Sequence, residues 1–131
     1  MLLRTAVTRG GPRVRWRGEI WLPTAEGGGW HGYALDPVPT VSAVDDDLRV
    51  HRCWIRVASG RCVDLGAGAA APEAAVARKA LSAGFLGAPR LVPVHPLERW
   101  LAVTTRRGRT ALVRPLVEVP EAVVVLVQIW D

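Results

Sequence analysis

The residues of this chain best suited to chemistry are arginines set beside tryptophans at strand spacing. In Arg13-Val14-Arg15-Trp16-Arg17-Gly18-Glu19-Ile20-Trp21, arginine alternates with apolar residues, which fits a β-strand with one cationic face. Arg13, Arg15 and Arg17 are expected to point one way with Trp21 on the same side, while Val14, Trp16 and Ile20 turn into a core. The pattern returns between Leu48 and Val57, with Arg52, Trp54 and Arg56 on one face and Cys53, Ile55 and Val57 on the other. A third group, Arg106, Arg107 and Arg109 around Gly108, reads as the tip of a hairpin. A guanidinium fork matches phosphate oxygens, and an indole offers a π-face to any base. The chemistry these residues suit is binding of nucleic acid, single strands above all, with the arginines on phosphates and the indoles on bases. The competing account makes the tryptophans core or interface residues, and the arginines solvated charges whose stems cover apolar surface.

Other constellations fall short of a site. His51 and Cys53 share a strand face and could start a metal site with Cys62 or His95, but Cys53 is expected in the core, where a thiol behaves as a small hydrophobe. Asp45-Asp46-Asp47 could hold a hard cation with Asp36 or His31, yet three acids at a strand connection read as a solvated turn. Ser42, Ser59 and Ser82 lie in no nucleophile elbow, and His31 has no nucleophile or orienting acid within local reach. Val63-Asp64-Leu65-Gly66-Ala67-Gly68-Ala69-Ala70 resembles the strand, glycine loop and helix entry of Rossmann-like methyltransferases over fewer than ten residues. It lacks a glycine at position 70, and the chain does not alternate strands with helices. The glycines are read as a flexible connection, so no cofactor, no metal and no enzymatic activity are expected.

Composition bounds the rest. With 131 residues, half of them apolar, the chain is expected to form a single domain over 1–131. A formal charge of +5 favours acidic or polyanionic partners. Sixteen of the seventeen basic residues are arginine, which coding bias in a GC-rich genome explains, so it is the placement that bears on function. Arg4 to Arg17, Arg49 to Arg61 and Arg99 to Arg114 are each rich in arginine and free of acids, and would merge into one patch if they became neighbouring strands. The opening Met1-Leu2-Leu3 run breaks too early for a secretion signal, and Ala122 to Trp130 is far short of the ~20 residues of a membrane span. A cytoplasmic protein with two reduced thiols is the expectation.

The elements that must position these residues follow from pattern. Strands are expected at 2–8, 13–22, 30–35, 40–44, 48–57, 61–65, 100–105 and 110–116, with 13–35 and 100–116 as hairpins. Pro72 to Ala83 is the one helix, its stripe of Val76, Ala77, Ala80 and Leu81 facing a sheet. The unalternating run 122–130 requires burial on both faces, either at the centre of a sheet or beneath another subunit. The sum is an α+β protein, mainly antiparallel sheet, as a curved sheet or small barrel with one helix packed on it. Its expected function is non-enzymatic nucleic-acid binding; the alternative is an interaction or structural subunit that forms a homo-oligomer through 122–130.

Overall fold

Alternation fixes most strands, and a short alanine-rich stretch fixes the helix. The computed structural model describes residues 12–23, 31–36, 39–41, 46–51, 53–58, 61–83 and 91–131. Its elements run β1 (Val14–Pro23), β2 (His31–Ala34), β3 (Thr40–Val41), β4 (Leu48–His51), β5 (Trp54–Val57), β6 (Cys62–Ala67), α1 (Ala74–Ser82), β7 (Leu91–Pro93), β8 (Arg99–Thr104), β9 (Thr110–Val119) and β10 (Ala122–Trp130). They form two antiparallel sheets, ordered β1-β10-β9-β8-β6 and β3-β2-β4-β5-β7. This is the expected α+β arrangement; neither sheet closes into a barrel. The strand anticipated at 2–8 lies outside the described residues.

One core joins the sheets. Leu22, Val123, Val125, Val127, Ile129, Leu101 and Val113 meet Leu35, Leu48, Val50, Ile55 and Val57 from the other side. A second cluster lies under the helix, where Ala74, Ala77 and Leu81 pack on Trp100, Ala102, Leu112 and Trp130. The alanines bring the helix axis close to the sheet. Val76, expected in this stripe, is instead half exposed, because the inward row is Ala74, Ala77 and Leu81. Strand β10 feeds both clusters from opposite faces, which is why its sequence does not alternate. It lies between β1 and β9, so the run 122–130 is buried within its own chain.

Three expected pairings are replaced by others. Segment 13–35 is not a hairpin: β1 pairs with β10, and β2 pairs with β3 and β4 in the second sheet. Leu48 to Val57 is not one strand but a tight hairpin, with Arg49 opposite Arg56 and His51 opposite Trp54. The strand from Cys62 leaves β5 and pairs with β8 in the first sheet. Periodicity records which face a residue takes, not which strand lies beside it.

The sheets are tied at one end by buried carboxylates. The β8–β9 turn closes with Gly108 N–H donating to Thr105 O at 2.9 Å, and Gly108 takes the positive φ of +89° that this loop requires. Asp47 reaches across the core from the start of β4, accepting from Leu35 N–H and Arg106 N–H, both at 2.6 Å. Asp36, just after β2, accepts from the Thr105 hydroxyl at 2.9 Å and pairs with the Arg109 guanidinium. Asp46 and Asp47 are therefore not a solvated turn: they are 1% and 3% exposed, because their charge is spent on arginine and on backbone N–H groups. Replacing Asp47 by alanine leaves two buried donors unmatched and should cost about 3 kcal/mol or more. The check is urea unfolding, in which the midpoint falls while the slope holds; Asp47→Asn, which retains one acceptor oxygen, should lose less.

Candidate functional site

Strand faces determine which arginines can cooperate. On β1, Trp16 and Ile20 pack against the main core, so Arg17, Glu19 and Trp21 lie on the outer face of the first sheet. On β5, Ile55 and Val57 are buried, so Trp54 and Arg56 lie on the outer face of the second sheet. Both inner faces meet in one core, and the outer faces therefore look away from each other. The expected merger of three basic segments into one patch does not form.

The first segment is divided further. A bulge between Val14 and Trp16 breaks the register, which leaves Val14 half exposed and not in the core. Arg15 forms an ion pair with Asp131 at 3.0 Å, whose backbone N–H also donates to Arg13 O. Arg13 and Arg17 are exposed, Arg17 beside Glu19. Trp21 is 60% exposed and lines an apolar cleft of about 360 Å³ with Pro23, Val119, Pro120, Glu121 and Ala122.

The second and third segments do converge. Arg49 and Arg56 stand opposite one another on β4 and β5, and Arg106 arrives from the β8–β9 tip. With Asp46 and Ala58 they line a cleft of about 180 Å³. Arg106 also borders a neighbouring cleft of about 210 Å³ with Arg107, Asp36 and Asp47. Trp54 lies two residues before Arg56 on the same strand face, 43% exposed, with Leu91 and Pro93 alongside on β7. Arg52 lies outside the described residues.

Charge balance separates the arginines that hold the fold from those that do not. Arg109 is paired with Asp36, and Arg49 with Asp46 through both Nε and a terminal nitrogen. The hydrogen bond and charge of Asp46 push the Arg49 pKa further above its ordinary value. Arg99 is buried on Asp64 and the carbonyls of Pro93 and Pro96. Arg114 lies over the Trp100 ring at 4.6 Å. Among the described residues, no hydrogen bond or ion pair engages the side chains of Arg56, Arg106 and Arg107. Five arginines thus face three carboxylates here, and the carboxylates are already satisfied by the protein. The exposed face is cationic.

Other sequence candidates resolve differently. Cys53 is exposed beside the β4–β5 turn and not in the core, while Cys62 is buried in the other sheet. Among the described residues no group of three His, Cys, Asp or Glu side chains could hold a metal ion. The Gly66–Gly68 segment is pinned: Gly66 N–H donates to Asp64, and Gly68 O accepts from Trp100 Nε1 at 2.9 Å and from Arg114 at 3.0 Å. Among the described residues no helix is long and apolar enough to cross a membrane. Sequence reasoning gave Arg49 no role in the site and took Asp36 and Asp47 for at most a weak cation site in a solvated turn; only the recognition of a chain reversal between β4 and β5 would have set Arg49 opposite Arg56.

No known protein family, characterised protein or solved structure matches the chain.

The two cysteines make the burial testable. Burial, reinforced by the nearby Asp64 charge against the opposing Arg99, pushes the Cys62 thiol from 9.0 up to about 12. Cys53 should react with a thiol reagent in the native protein, whereas Cys62 should react only after unfolding. The unfolded chain loses the Cys62 proton first, so stability should fall as pH rises from about 9 towards 12. Burial of the Tyr33 hydroxyl, which donates to Trp21 O at 2.6 Å, raises its pKa above 10.0 and acts with the same sign. Urea unfolding at neutral and alkaline pH checks this, with Cys62→Ala expected to flatten the trend.

Proposed function

We propose that this protein binds nucleic acid, preferring single strands and performing no chemistry on them, through the outer face of the second sheet and the adjoining β8–β9 tip. The observation that carries the reading is an exposed indole, Trp54, on the same face as Arg56, with Arg106 sharing a cleft with Arg56, Arg107 bordering the next cleft with Arg106, and no protein partner on these three arginine side chains among the described residues. Single-strand binders combine a cationic track with aromatic platforms, and stacking contributes about 1–3 kcal/mol per base. Trp54 is assigned the base, and Arg56, Arg106 and Arg107 the phosphates. The set drawn from the sequence is thereby reduced: Arg15 and Arg109 are engaged by acids, Arg17 and Trp21 belong to the outer face of the first sheet, and Arg13 lies just before β1, away from the second sheet's strands.

A second reading, an interaction subunit, rests on a different observation. The apolar cleft beside Trp21 exposes indole and proline surface on the first sheet's side. Trp and Arg are both enriched at protein interfaces. Self-association through that cleft would appear as concentration dependence in a sedimentation dilution series, and Trp21→Ser would abolish it. Beyond Ala122 at the cleft's edge, the strand 122–130 offers no such surface, being largely buried between β1 and β9.

Tryptophan fluorescence titrated with an unstructured oligonucleotide at two salt concentrations, with heparin as a polyanion control, tests the first reading. Quenching by the oligonucleotide and not by heparin is expected. Arg56→Ala and Arg107→Ala should each reduce the slope of log affinity against log salt by about 0.7. Trp54→Ala should weaken binding by about tenfold and remove much of the quenching, whereas Arg17→Ala should match the parent. Unchanged binding by both Trp54→Ala and Arg56→Ala at matched salt overturns the assignment.

A further inference from the structure

The arrangement of Arg49, Arg56 and Arg106 runs against stability. Like charges directly opposite on antiparallel strands repel, and Arg49 faces Arg56 in that position. Asp46 offsets Arg49 alone, occupying its Nε and one terminal nitrogen. Arg106 adds a third guanidinium to the same cleft of about 180 Å³, and its backbone is fixed there by the buried Asp47 carboxylate. A core builds no advantage from this crowding. Natural sequences break local rules of this kind where a ligand compensates. The compensating ligand must carry an oxyanion able to accept several N–H donors at once, as a phosphate does.

The surroundings define the remainder of that ligand. Trp54 lies on the same face two residues from Arg56, a strand repeat of about 7 Å. Leu91 and Pro93 on β7 flank Arg56 and Trp54 as their cross-strand partners. An apolar, aromatic surface thus begins one strand repeat from the cationic cleft. From this juxtaposition we infer that the face holds one discrete nucleotide unit, with the phosphate in the Arg49, Arg56 and Arg106 cleft and the attached base on Trp54. This deepens the proposed function: the minimal ligand is a nucleoside monophosphate, free or within a strand, rather than a continuous run of negative charge.

The experiment is a fluorescence titration of the full chain with adenosine 5′-monophosphate, adenosine and inorganic phosphate as separate probes, followed by the oligonucleotide. The nucleotide should bind about tenfold more tightly than either fragment, because both halves of the site are then engaged. Trp54→Phe should retain the binding but lose the spectral response. Arg56→Ala should weaken the nucleotide about tenfold or more and leave adenosine unchanged. Arg56→Lys should recover only part of the loss, since an ammonium lacks the planar fork. Arg56 and Trp54 are exposed, so these variants are expected to fold. Nucleotide binding no tighter than that of inorganic phosphate, or indifferent to Arg56→Ala, overturns the inference. Oligonucleotide binding without nucleotide binding overturns it while leaving the proposed function standing; nucleotide binding without oligonucleotide binding does the reverse.

Discussion

The Asp47 carboxylate is the constraint on which the architecture turns. An ionised carboxylate removed from water is strongly unfavourable unless each of its oxygens finds a donor. Asp47 meets that condition with donors from both sheets: Leu35 N–H beside β2 in one, Arg106 N–H at the β8–β9 tip in the other. Its own backbone N–H and carbonyl are used as well, by Tyr33 and Ala58. The main core is non-directional and would tolerate sliding of one sheet over the other. A buried charge with two fixed donors does not, so this end of the molecule acquires a single register.

That register decides which cations remain at the surface. Arg109 and Thr105 are drawn onto Asp36, and Arg49 onto Asp46. Arg106 gives its backbone to Asp47 but keeps its side chain free among the described residues, and Arg107 stays beside it at the tip. The same acids that fasten the turn therefore select the arginines presented to a partner. In this chain the net positive charge matters less than this division between fastened and presented guanidiniums.

Much of the secondary structure was legible from pattern alone. The β8–β9 hairpin with its arginine tip, the helix after Pro72 and the doubly buried β10 follow from periodicity, glycine placement and alanine content. Pairing was not legible. The segment around Arg52 and Cys53 carries no glycine or proline, so the β4–β5 hairpin looked like one strand, and Arg49 went unnoticed as the neighbour of Arg56. The acids at 46 and 47 carry the composition of a solvated turn; their burial depends on donors from residues 35 and 106, remote in sequence. Val14 failed for a local reason, a bulge that alternation does not encode. Trp54 and Arg56 were found because a strand face is a two-residue rule, and Arg106 and Arg107 because a hairpin tip is local, whereas Arg49 and the carboxylates that fasten this end were hidden because they meet their partners only through tertiary structure.

The pairing of β1 with β10 has a kinetic corollary. Arg15 and Asp131, which meet across that pair, are 116 residues apart, so one edge of a sheet otherwise built on the local β8–β9 and β9–β10 hairpins depends on a contact of very long sequence separation. Closing so long a loop precedes the energetic return, and topologies of this kind fold slowly. During synthesis β1 emerges long before the strand that will cover its edge. Until then its apolar row is unsheltered and its ladder groups are unpaired, a state open to association with other nascent chains. The arginines along β1 are well placed to oppose that association, since clustered charge on a strand edge discourages edge-to-edge pairing. Part of the arginine content of this strand is thus explained by the interval before folding, independently of any ligand the finished molecule receives.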